Sequence, residues 1–227
     1  AGHLLKGDFT LEPVNPPLAR LWACLPYLAL RPDLPLTSVH WRERHPGAAG
    51  LEFLYRNRIP WRTLVIWPRV MTALLGAALV WWIAGWAETR AGRTGGVIAG
   101  ALAATCPNLL GNGGLATTDL AAAASALLAG WAWTAWLERP TLRRAGLVGV
   151  AIGAALVTKY ANLALLPVFA ALLVAERRRI GGDPAGRRAR MFELAVAAAV
   201  GAAVVFVAYG GSGFGAYLAG LEAQRAD

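Results

Sequence analysis

Apolar residues in this chain fall in long blocks separated by polar breaks. Residues 1–17 are polar and proline-rich, with a turn at Gly7-Asp8 and a stop at Pro16-Pro17. Residues 18–30 (LARLWACLPYLAL) are apolar, but a helix this short cannot cross a hydrocarbon layer of roughly 30 Å, and Pro26 weakens it further. It is predicted to lie in the membrane interface or to pack on a bundle. Residues 31–62 are polar again, and LEFLYRNR (51–58) has the pattern of a short amphipathic surface helix. Six apolar runs follow, from Val65 or Val70 to Trp86, Thr94 to Leu110, Leu120 to Leu137, Leu142 to Thr158, Ala161 to Ala175, and Met191 to Tyr209. The fourth and fifth sit near the lower length limit for a full crossing and meet directly at Lys159-Tyr160.

The pattern predicts an all-α polytopic membrane protein with about six spans. Residues 1–64 would form an extracytoplasmic loop with short interfacial helices, 65–210 a transmembrane bundle, and 211–227 the start of a further loop. Composition agrees: 57% of residues are hydrophobic and only 15% charged, against about 25% charged in ordinary soluble domains, and mean hydropathy is +0.47. The formal charge of +9 would suggest nucleic acid in a soluble protein. Here the arginines cluster between apolar runs, which makes them a topology signal and excludes nucleic acid as the expected partner. Arg90, Arg93, Arg139, Arg143, Arg144 and the arginines of 177–190 fall on one side when the breaks alternate; the opposite short loops hold only Lys159 and Arg225. The first side is therefore predicted to be cytoplasmic, in a bacterial-type plasma membrane. The basic 31–62 segment reads as a solvated loop or an anionic lipid-headgroup site. Cys24 and Cys106 form no CxxC pair and no ligand cluster. A start at Ala1 without Met, and an ending in a polar run, predict an excised piece of a longer protein.

Two ionisable residues share the predicted outer side between the later spans. Asp119, after Thr117-Thr118, reads either as a helix cap, which suits the positive end of the helix dipole, or as a carboxylate at the rim of a cavity. Lys159 reads either as a lysine reaching to water from a hairpin tip or as a countercharge for a lipid-linked phosphate. Tyr160 beside it would orient the same group or anchor at the interface. Glu12, Asn15 and His3 offer ligand atoms without metal-site spacing, although a divalent ion held by a carboxylate and a lipid phosphate is chemically reasonable. The glycine patches GNGG (111–114) and GGSGFG (210–215) fit no phosphate-binding loop and are predicted turns.

The order GDFTLEPVNPPLARLWACLPYL, PNLLGNGGLATTDL, GVAIGAALVTKYANLALLP resembles the membrane glycosyltransferases of the GT-C type that use polyprenyl-phosphate-linked sugars. That superfamily contains the protein O-mannosyltransferases and the aminoarabinose transferase of lipid A. The resemblance implies a sugar donor on polyprenyl phosphate, a hydroxyl-bearing acceptor on a protein, glycolipid or envelope polymer, and no organic cofactor. It implies that the catalytic aspartate belongs to an Asp-Glu pair upstream of Ala1, so that the piece alone would be inactive. Asp119 matches an acidic residue at the outward start of a later span and would be supporting. Lys159 matches the lysine of a Thr-Lys pair at a hairpin tip and, with Tyr160 and Asn15, would bind substrate. Relatives carry a carboxylate before the proline pair where Val14-Asn15 stand here; Glu12, two residues earlier than Val14, is the candidate for a divalent ion. FGAYLAGL resembles the start of the next outward loop. A transporter and a non-catalytic scaffold or lipid-binding subunit share the composition. The transporter would place polar residues deeper in the spans than this chain does.

Overall fold

A computed structural model of the chain describes residues 2–6, 11, 15–175, 184–210 and 213–226. Every regular element among them is helical, and contacts divide the chain into two units, residues 1–12 with 19–124 and residues 13–18 with 125–227. Among the described residues three helices are long and apolar enough to cross a bilayer: Trp61–Ala104, Asp119–Glu138 and Gly186–Ala208. Trp81 is 81% exposed, and Leu74, Val97 and Leu102 are also exposed, an arrangement that suits a lipid solvent. The chain is an all-helical membrane protein. The Gly7-Asp8 turn and Glu12 lie outside the described residues.

The first unit opens with α1 (Gly2–Lys6), α2 (Leu18–Ala23) and α3 (Tyr27–Leu30), followed by α4 (Val39–Arg42) and α5 (Pro46–Tyr55). The 18–30 run is thus two helices, because Pro26 ends the first and serves as N-cap of the second at φ −60°. The surface helix expected at 51–58 begins earlier, with Pro46 preset for its first turn, and stops at Tyr55, where the Arg56 N–H closes on the Glu52 carbonyl.

Next comes α6 (Trp61–Ala104), whose backbone breaks at Gly92 (φ 70°, ψ −178°). Added methyl groups at Gly96 and Gly100 would lie 2.8 Å from the Glu88 Cβ and 3.0 Å from the Ala84 Cβ, respectively. In a straight helix residues 84 and 100 would stand about 24 Å apart, so the chain doubles back at Gly92, where only glycine is at ease at that φ. The two arms meet through the Gly96-xxx-Gly100 face. The second arm ends at Ala104 rather than Leu110, since Pro107 starts a separate helix, α7 (Pro107–Gly113). The predicted GNGG turn is therefore partly helical. Asn112 closes α7 by donating to the Asn108 carbonyl at 3.0 Å.

Inside α6, Pro68 has no N–H to offer the carbonyl of Leu64. The buried phenol of Tyr27 donates to that carbonyl at 2.5 Å, while the Trp22 indole donates to the Met71 carbonyl at 2.9 Å. Burial raises the Tyr27 pKa, with the nearby Cys24 adding to the shift. Tyr27 also packs on Phe53, with ring centroids 6.0 Å apart. The short helices before α6 are in this way stitched to its proline turn.

The second unit holds most of α8 (Asp119–Glu138), then α9 (Leu142–Leu156), a 3-10 turn (Tyr160–Ala164), α10 (Leu165–Ala175), α11 (Pro184–Ala208) and α12 (Gly213–Ala226). The fifth apolar run is a 3-10 turn plus an α-helix. Pro167 suits the first turn of α10, but its ring would clash with the Leu163 carbonyl if the α-helix continued backwards. The terminal segment 213–226 is helical; LAGLEAQRA is rich in helix formers. Ala129, Ala132, Trp133, Trp136, Val148, Ala151, Phe169 and Ala197 belong to the core, where Trp133 stacks on Phe169 at 4.7 Å. Gly149 and Gly153 lie against Ala197, Gly201 and Val204 so closely that no Cβ would fit, which brings the α9 and α11 backbones together. Glu193, 9% exposed, accepts from the Trp136 indole at 2.9 Å and pairs with Arg190 at 3.4 Å. A buried carboxylate is costly unless partnered in this way. Arg144 donates to the carbonyls of Ala135 and Arg139, satisfying the end of α8.

Candidate functional site

The best-built polar feature of the second unit is the turn after α9, where the Thr-Lys pair lies. The helix ends by having its last carbonyls taken one after another. The Val157 N–H bonds to the Gly153 carbonyl, and the Thr158 hydroxyl donates to Ala154 at 2.6 Å. Ala155 accepts from the Lys159 amide at 3.3 Å and from the Asn162 side chain at 3.0 Å. The Val157 carbonyl accepts from the Leu18 amide at 2.9 Å. Orphan carbonyls at a buried helix end need such partners. Their satisfaction leaves Lys159 extended (φ −155°, ψ 137°) and half-buried, just past the negative end of the α9 dipole, where a cation is favoured.

The Leu18 contact brings the proline segment to this turn. Pro16 and Pro17 are fully buried, and Asn15, half-buried, stands immediately before them in the same unit as Lys159 and Tyr160. Lys159 and Tyr160 thus share one turn, and Asn15 lies three residues before the Leu18 amide that reaches it. Asp119 belongs to the other unit. It is exposed in the first turn of α8, whose opening bond runs from the Ala122 amide to the Thr118 carbonyl; a carboxylate there complements the helix dipole. Nearby, Thr117 and Asn112 hydrogen-bond at 3.2 Å, bracing the approach to α8.

Tyr160 is buried, and its hydroxyl donates to the Tyr217 carbonyl at 3.0 Å while lying 3.4 Å from the Tyr209 hydroxyl. Tyr160 and Tyr217 also meet edge to face at 5.1 Å. Burial, with a smaller effect from Tyr160, pushes the Tyr217 phenol up to about 12. The structure adds residues that the pattern of apolar runs concealed. Asn162 bonds to Ser125 at 3.2 Å, and Tyr209 and Tyr217 hold Tyr160. Their signal in the sequence is faint: single polar residues inside AAAASALL and YANLALLP.

Glu12, the candidate metal ligand, lies outside the described residues. Among the described residues no three His, Cys, Asp or Glu side chains converge as a metal cage. The His3 side chain is likewise outside the description.

No curated protein and no solved structure matches the chain. The pattern of one family, dolichyl-phosphate-mannose-protein mannosyltransferase, matches residues 65–209. That range covers well over half of the 227 residues and contains Asp119, Lys159 and Tyr160. With the helical membrane architecture and the Thr158-Lys159 turn it leads to one assignment: the chain belongs to the dolichyl-phosphate-mannose-protein mannosyltransferase family, glycosyltransferases of the GT-C type.

Proposed function

We propose that the protein moves a sugar from a polyprenyl-phosphate donor to a hydroxyl acceptor on the extracytoplasmic face of a bacterial-type plasma membrane, inverting the anomeric centre. The observation that carries this reading is the turn at Lys159: a half-buried ammonium on an extended backbone, beside a helix end whose carbonyls are already satisfied. Such a cation suits the phosphate oxygen on which charge grows as the donor bond breaks. The acceptor oxygen gives its proton to a carboxylate base and forms the new bond to the anomeric carbon. The bond from that carbon to the donor phosphate breaks on the opposite side, and its electron pair leaves with the phosphate.

The base in this reading is an aspartate preceding Ala1, and Asp119 orients the acceptor or supports the loop that carries the base. Asn15 contacts the donor beside Lys159, and Tyr160 holds the turn through Tyr209 and Tyr217. A divalent ion at Glu12 would add countercharge, and no step here depends on it. The outward assignment rests on the arginine-rich breaks. Six crossings follow if the arms of α6 count as two, and α9 and the 160–175 segment as one each, beside α8 and α11.

The test is transfer from purified polyprenyl-phosphate mannose by the full-length protein in membranes. Lys159→Ala is expected to lower donor use by about a hundredfold while the protein stays folded, and Lys159→Arg to keep part of it. Unchanged transfer by Lys159→Ala would remove the lysine from the donor site. A folded wild-type protein inert with every donor and acceptor in a panel would instead favour a non-catalytic lipid-binding role.

A further inference from the structure

We propose that the opening turns of α6 form a binding site for the head group of an anionic phospholipid. Trp61, Arg62, Thr63, Val65, Ile66 and Arg69 line an open concavity of about 420 Å³ along one side of the helix, and no carboxylate is among them. Arg62 and Arg69 lie two turns apart, about 10 Å along the axis. Ile66, 52% exposed, stands between them. The Arg62 guanidinium lies 5.6 Å from the centre of the Trp61 ring, and Tyr55 of α5 stacks obliquely on Trp61 at 6.3 Å. The surface is therefore a basic and aromatic collar where a helix of spanning composition begins, the level at which amphipathic rings and arginines meet lipid head groups.

Charge selects the occupant. From Tyr55 to Arg69 the sequence YRNRIPWRTLVIWPR has Arg56, Arg58, Arg62 and Arg69 and no acidic residue. Arg58 is engaged with Asp33 at 3.3 Å and Arg56 with Glu52 at 3.5 Å. Among the described residues Arg62 and Arg69 are in no ion pair, so their guanidinium forks remain for a phosphate. The surface between them is apolar, with Trp67 also exposed. A soluble anion would leave that strip wet, whereas the acyl chain of a phospholipid covers it while its phosphate lies against the guanidinium groups. Each arginine near a membrane surface adds about 1 kcal/mol of attraction to anionic lipid, so the pair should favour an anionic over a zwitterionic head group by about thirtyfold.

The experiment is native mass spectrometry of the purified full chain in neutral detergent, titrated separately with phosphatidylglycerol, phosphatidylcholine and polyprenyl phosphate. Wild type is expected to retain phosphatidylglycerol about thirtyfold better than phosphatidylcholine. Arg62→Gln with Arg69→Gln should reduce it to the phosphatidylcholine level, and Arg62→Lys with Arg69→Lys should keep most of the preference. Thermal unfolding of each variant shows that it is folded. Equal phosphatidylglycerol retention by wild type and the glutamine pair overturns the proposal, as does loss of only polyprenyl phosphate in that pair. If glutamine substitution prevents folding, the wild-type preference and the lysine pair decide: a preference absent from wild type overturns the site.

Discussion

The amide of Leu18 donates to the carbonyl of Val157 at 2.9 Å, so the segment after Asn15-Pro16-Pro17 closes the helix end that precedes Lys159. Leu18 is also the first residue of α2, where proline fits the backbone and only its missing N–H would be felt. Leu18→Pro should therefore remove the bond and leave the Val157 carbonyl unpaired, at a cost of about 1–3 kcal/mol. Thermal unfolding should show that loss, and the donor KM should rise severalfold with the fold retained. Leu18→Ala keeps the amide and should leave the donor KM near wild type; equal KM changes in both variants would show that the side chain, rather than the bond, matters.

Tyr27 and Pro68 make a matched pair through the Leu64 carbonyl. Tyr27→Phe should cost about 1–3 kcal/mol, because Pro68 leaves that carbonyl without an intrahelical donor. Replacing Pro68 by Ala in the same background should recover part of the loss, since the new amide can bond to Leu64. A double-mutant cycle by denaturant unfolding in detergent measures the coupling, and additive effects would show that the phenol and the proline act independently.

The glycines of α9 are predicted to respond in opposite ways. A methyl at Gly149 would meet the Val200 Cβ at 2.8 Å and the carbonyl group of Ala197, whereas one at Gly146 meets nothing within 4 Å. Gly149→Ala should lower stability by about 1–3 kcal/mol through overpacking. Gly146→Ala should be neutral or raise stability by up to about 1 kcal/mol from helix propensity. Thermal unfolding of the two variants side by side tests this, and equal behaviour would contradict the close approach of α9 and α11.

Alkaline pH should loosen the Tyr160–Tyr217 contact. The Tyr217 phenol is pushed up to about 12 by burial, so the folded state holds its proton where the unfolded chain has released it. The stabilisation is fully present below the ordinary tyrosine pKa of about 10 and is lost as pH rises through the folded value of about 12. Unfolding of wild type and Tyr217→Phe across that window should change unequally, the wild type losing stability that the phenylalanine variant keeps. Parallel curves would refute the linkage.

The sequence by itself determined which segments are apolar helices, where prolines punctuate them, and which breaks carry the arginines. These are local properties: Pro26 weakens the 18–30 run, Leu120 to Leu137 reads as a span without help from neighbours, and the Thr-Lys pair is recognisable at the end of the fourth apolar run. Tertiary structure decided the partners. That Gly92 reverses α6, that Glu193 is held by Trp136, that the Tyr160 hydroxyl goes to Tyr217, and that Leu18 reaches Val157 all depend on backbones brought together from distant parts of the chain. Hydrophobic periodicity describes the face a helix buries, but a hydrogen bond between residues 18 and 157 exists only once packing has set both ends in place.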